Sequence, residues 1–72
     1  MQDKINTYFN TIAKNIKFFR ENANLSQEAL AEKLNLSREF INRVENGKER
    51  FSLQTLLALS ILFDVSPERF FE

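Results

Sequence analysis

The sequence predicts an all-α fold of five helices, and three observations carry that expectation. Apolar residues recur at helical spacing through each of five segments. An apolar–serine pair followed by another apolar residue one turn into the next segment appears four times: Leu25-Ser26…Leu30, Leu36-Ser37…Ile41, Phe51-Ser52…Leu56 and Val65-Ser66…Phe70. This is the signature of a capped helix whose entering chain is stapled to its first turn. No strand candidate, linker or low-complexity segment interrupts the series. The predicted helices are 3–22, 27–34, 38–46, 53–63 and 67–71.

In the first helix, Ile5, Tyr8, Phe9, Ile12, Ile16 and Phe19 form one stripe, and Asp3 is the earliest sensible start. In the second, Ser26 is the cap, and Leu30, Ala31 and Leu34 share a face that Leu25 approaches from before it. In the third, Ser37 is the cap and Ile41 and Val44 face inward. Only Asn35 and Leu36 stand between these two helices. So short a turn needs positive φ, which asparagine tolerates better than most residues. Ala31 is small where two crossing helices bring their backbones together. The spacing therefore predicts a helix-turn-helix, with the second of the pair as the element that enters a major groove. A turn of 100° per residue then puts Glu39, Asn42, Arg43 and Asn46 on its outward side. Ser52 opens the fourth helix. Ser66 opens the fifth, where Pro67 at the first position loses no hydrogen bond.

Composition narrows the function. Seventy-two residues make one small domain that buries only about 60% of its unfolded surface. With neither cysteine nor histidine, no disulfide or usual metal ligand supplements the core, so eight phenylalanines must supply much of the buried surface. No cofactor is expected. A general base near neutrality would have to be a strongly shifted carboxylate or lysine. Glu28, Glu32 and Glu45 lie at ordinary helix-surface spacings, and there is no glycine-rich phosphate loop. An enzyme is not expected. The most apolar run, Leu56 to Phe63, is too short to span a bilayer, and no secretory signal opens the chain. A soluble, cytoplasmic protein is expected, associated with the nucleoid when bound to DNA.

Net charge is zero, which by itself argues against a nucleic-acid partner. The charges are unevenly placed: residues 1–50 hold nine Lys/Arg against seven Asp/Glu, and Asp64, Glu68 and Glu72 make the tail acidic.

The stretch Leu25 to Gly47 resembles the helix-turn-helix family of phage repressors, Cro proteins and related small bacterial regulators. Gln27 opens the first motif helix as in that family, Ala31 holds the family's alanine, and Ile41 and Val44 hold its aliphatics. Glu45-Asn46-Gly47-Lys48 matches its closing phrase. The likeness runs from about Ile12 to Phe71, which leaves residues 1–11 as an addition, either extra helical turns or a loose arm. Asn24, Asn35 and Asp64 stand where the family usually has glycine.

The resemblance implies a lambda-repressor-like domain over residues 1–72 and a homodimer on double-stranded DNA, without a small-molecule ligand. It implies base reading by Ser37, Arg38, Glu39 and Arg43, with Asn42 as an occasional contributor. Arginine suits guanine, having two donors for O6 and N7, whereas Glu39 could accept from cytosine N4 while repelling phosphate. Backbone contacts fall to Ser26 and Gln27 at a helix N-terminus and to Asn46, Lys48 and Arg50. Lys48 and Arg50 read also as solubilising charges. Arg20 and Glu45 occupy positions of a structural ion pair. Phe40 departs from the family; it either packs on a neighbouring helix or touches a thymine methyl.

The family dimerises through its C-terminal helices. Ala58 and Ile61 replace polar residues there, and with Leu57, Leu62, Phe70 and Phe71 they make that region apolar on more than one face. Ala58, Ile61, Leu62, Phe70 and Phe71 are the expected dimer contacts. The resulting expectation is a sequence-specific transcription regulator on an inverted-repeat operator, either a restriction–modification controller or a phage-type repressor. The alternative is an antitoxin-like interaction module that keeps the fold and has little DNA binding.

Overall fold

The computed structural model describes all residues, 1–72. Four α-helices follow one another: α1 Gln2–Asn22, α2 Gln27–Leu34, α3 Arg38–Glu45 and α4 Leu53–Phe63. The fifth element is a 3₁₀ turn at Pro67–Phe71, not the α-helix expected there. Its opening differs accordingly. The hydroxyls of Ser26, Ser37 and Ser52 accept from the backbone N–H of Ala29, Phe40 and Thr55 at 3.0–3.1 Å. The Ser66 hydroxyl instead donates to Glu68 Oε1 at 2.6 Å and caps nothing. Five residues with no side-chain cap suit the tighter 3₁₀ winding, which is used in short pieces.

Each α-helix ends by one device. Asn24, Asn35, Gly47 and Asp64 take φ of 59°, 61°, 72° and 56°. In each case the next N–H turns back to a carbonyl five residues earlier: Leu25 to Arg20, Leu36 to Ala31, Lys48 to Arg43 and Val65 to Ser60, at 2.8–3.1 Å. This is the Schellman arrangement, which satisfies carbonyls a helix end would otherwise leave free. Leu25, Leu36 and Val65 close one helix and, one residue before a serine, lead into the next. The apolar–serine dipeptides therefore set both the exit and the entrance of the connections. At Gly47 a Cβ would also lie 2.5 Å from Asn10 Oδ1, the tip of an exposed side chain that would have to move aside.

The core collects Ile12 and Ile16 from α1, Leu30 and Ala31 from α2, Ile41 and Val44 from α3, and Leu56 and Leu59 from α4. Phe70 completes it. Its ring is wholly buried and meets Phe19 edge-on at 5.2 Å, and Phe19 stacks on Phe63 at 6.0 Å. Asn15 Nδ2 donates to the Phe70 carbonyl at 2.7 Å and to the Glu72 carbonyl at 3.2 Å, tying the C-terminus to α1. Phe70 is thus core and not an exposed dimer contact. The 3₁₀ turn rotates it inward and leaves Phe71 at the surface.

Residues 2–11 continue α1 without a break, so the addition is extra helical turns. Phe9 packs edge-on against Phe51 at 5.1 Å, and the Arg50 guanidinium lies 4.2 Å above the Phe9 ring. Tyr8 meets Phe71 at 6.4 Å. Between the extension and the start of α4 runs an open apolar groove of about 360 Å³, lined by Ile5, Tyr8, Phe9, Leu53 and Phe71 among others. No helix is long and apolar enough to cross a membrane.

Candidate nucleic-acid interface

α3 has two sharply different faces. Ile41, Val44 and Glu45 are buried; Ser37, Arg38, Glu39, Asn42, Arg43 and Asn46 are exposed. Phe40 is half-buried against the core. The interhelix turn is closed by Leu36 N–H to Ala31 O at 2.8 Å, so α3 leaves α2 in one fixed direction.

A buried ion pair sets the depth of α3 against α1. Arg20 Nε and Nη2 donate to Glu45 Oε2 and Oε1 at 2.7 and 3.1 Å, and Arg20 Nη1 donates to the Leu25 carbonyl at 2.7 Å. The hydrogen bonding to Glu45 raises the Arg20 pKa above its ordinary value and outweighs desolvation by burial. Planar, two-pronged pairing of this kind fixes orientation as well as charge.

The pair continues outward as a polar chain. Gln27 Nε2 donates to Glu45 Oε1 at 3.0 Å, and Gln27 Oε1 accepts from Asn42 Nδ2 at 3.2 Å. Asn46 Nδ2 in turn reaches Asn42 Oδ1 at 3.2 Å and the Asn42 carbonyl at 2.9 Å. The Gln27 side chain is therefore spent on joining α2 to α3. What α2 offers a phosphate is its N-terminus, where the Ser26 hydroxyl takes the Ala29 N–H and the N–H groups of Gln27 and Glu28 have no helical partner.

The remaining exposed side chains stand differently. Arg38 lies 3.6 Å from Glu39, both largely in solvent, a contact of little energetic weight. Lys48 is exposed and forms no ion pair. Arg50 is drawn onto α1, with Nη2 donating to Asn6 Oδ1. Arg43 Nε donates to Glu49 Oε1 at 2.8 Å, a partner sequence reasoning missed because it lies beyond an irregular glycine turn.

The C-terminal positions separate likewise. Ile61 is 80% exposed and Phe71 47%, whereas Leu62 is half-buried against the core. Ala58 is half-buried in a cleft with Leu34 and Leu36. Leu53 and Leu57, 69% and 41% exposed, continue the Ile61 side of α4 at four-residue steps. The expected contacts, Ala58, Ile61, Leu62, Phe70 and Phe71, do not include Leu53.

Fold and surface define a DNA-binding transcription regulator built on a helix-turn-helix. The chain belongs to the helix-turn-helix family whose model matches residues 16–70. It is 39% identical over 56 residues to an uncharacterized helix-turn-helix-type transcriptional regulator of Methanocaldococcus jannaschii, covering 78% of this chain and 85% of that one. It is 38% identical over 55 residues to the control protein C.SmaI of Serratia marcescens, covering 76% of this chain and 66% of that protein. Among solved structures, the restriction-modification controller protein C.AhdI of Aeromonas hydrophila superposes with a TM-score of 0.79 at 30% identity, over 88% of this chain and 96% of that one. These relatives and structural neighbours are transcription regulators and controller proteins, and the chain is not an enzyme.

Proposed function

We propose that the protein acts as a homodimer on an inverted-repeat operator, with one α3 in each half-site. The observation that carries this reading is the apolar stripe on the outside of α4. Leu53, Leu57 and Ile61 stand at i, i+4 and i+8, and the opposite side of the same helix supplies Leu56 and Leu59 to the core. The stripe runs into the apolar groove lined by Ile5, Tyr8 and Phe71. A contiguous exposed patch of this kind marks a contact surface.

A second copy is the partner that completes the task. One α3 spans only a few base pairs, while two related by two-fold symmetry read both halves of a palindrome. In this reading Ser37, Arg38, Glu39, Asn42 and Arg43 face the base edges. The N-terminus of α2 at Ser26 and Gln27, with Asn46 and Lys48, flanks the phosphates. Arg50 serves the α1 contact first and reaches phosphate only by leaving Phe9. Likeness to two controller proteins favours a restriction–modification setting over a phage repressor.

Sedimentation at tens of micromolar tests the dimer. The wild type is expected to sediment as a dimer, and Ile61→Lys as a folded monomer with poor operator affinity. The substituted side chain is already in solvent within one chain, so folding is spared. A wild-type monomer that also fails to pair on DNA would refute the dimer and favour an interaction module.

A further inference from the structure

Arg43 does not extend freely into solvent. Its Nε is taken by Glu49 Oε1 at 2.8 Å, and its Nη1 and Nη2 have no protein partner. The two side chains are 49% and 35% exposed, and at such sites an ion pair contributes little to stability. A structural purpose is therefore a poor explanation for the contact.

Glu49 is held from both sides. Before it, Gly47 N–H donates to the Val44 carbonyl at 3.0 Å and Lys48 N–H to the Arg43 carbonyl at 2.9 Å, locking the turn to the end of α3. After it, Arg50 lies over Phe9 and bonds Asn6, and Phe51 packs on Phe9. The helical extension 2–11 thus anchors the segment that carries the acid. A carboxylate beside a DNA-facing surface also repels phosphate wherever the protein lands, whatever the sequence.

We infer that Glu49 is the positioning residue for Arg43: it grips the Nε edge, presents the two terminal nitrogens to one base, and lowers affinity for DNA at large. This rests on the DNA-reading role proposed for α3. End-on donation from two nitrogens matches the O6 and N7 acceptors of guanine, and a guanidinium already held by one edge has fewer orientations to lose on binding. The acid gives up indiscriminate attraction, and the restrained arginine gains discrimination at one base pair in each half-site.

The two effects separate by substitution. The probe is the sequence that wild-type protein enriches from random duplex DNA, together with that sequence changed one base pair at a time. Glu49→Gln retains an acceptor for Nε and loses the charge. It should bind every duplex more tightly, with a salt slope steeper by about one, and keep its discrimination within about twofold. Glu49→Ala loses the grip as well, and should lower discrimination roughly fivefold at one base pair only. That base pair should be the one at which Arg43→Ala is insensitive, and adding Glu49→Ala to Arg43→Ala should change discrimination no further. Thermal melting of both Glu49 variants should stay near wild type. If wild type enriches a sequence and both variants discriminate as it does, the positioning role is wrong while α3 still reads DNA. If wild type enriches nothing, the DNA reading fails and this role fails with it.

Discussion

Glu45→Gln is the sharpest test of how α3 is held. The substitution keeps the shape of the side chain, removes its charge and turns one of its two accepting oxygens into a donor. In the native chain the Glu45 side chain is 2% exposed and the Arg20 side chain 10%, joined by two hydrogen bonds. After the change Arg20 retains the Leu25 carbonyl and a partner at 3.9 Å, Glu21, which lies mostly in solvent. A buried cation without its counter-charge costs about 3–5 kcal/mol. A domain of this length is stable by only about 4–11 kcal/mol in total, so the loss consumes a large share. Urea titration followed by helical circular dichroism should show a much lower midpoint or a chain already unfolded. Pairing Glu45→Leu with Arg20→Met should recover most of the loss, because apolar replacement of both partners removes the unpaired charge. It would leave the Leu25 carbonyl and the Gln27 amide short of one bond each. A Glu45→Gln loss below about 1 kcal/mol would refute the assignment of the pair as a buried clamp.

Three other outcomes follow from particular contacts. Arg43→Ala should cost about 1–3 kcal/mol on the operator and relax selectivity at one base pair per half-site, as measured by competition with substituted duplexes. Lys48→Ala should weaken binding to all sequences alike and lower the salt slope by about one, which titration at several salt concentrations reads directly. Gly47→Ala should destabilise the fold by about 1–2 kcal/mol in urea titration, since φ of 72° is strained for alanine, which lacks the local hydrogen bonding that lets Asn and Asp adopt it.

Much of this architecture is legible in the chain because its signals are local. A serine before an apolar turn names a helix start, and Asn24, Asn35, Gly47 and Asp64 are of the types that accept positive φ, so they name the ends. The faces of α2 and α3 follow from spacing alone. What the sequence conceals is non-local. In a five-residue segment, spacing does not say which of Phe70 and Phe71 turns inward; that depends on the 3₁₀ winding and on Asn15 holding the terminal carbonyls. The Arg43–Glu49 pair depends on the path of a glycine turn, and the link from Glu45 through Gln27 to Asn42 depends on how α2 and α3 meet. Leu53 was readable as the start of the α4 stripe.

Selection from random duplex DNA, with the binding stoichiometry measured on the enriched sequence, tests the central claim most directly. An approximate inverted repeat should emerge, its half-site centres one helical turn or about 34 Å apart, bound by two chains. An enriched sequence without two-fold symmetry, bound by one chain, would contradict the account.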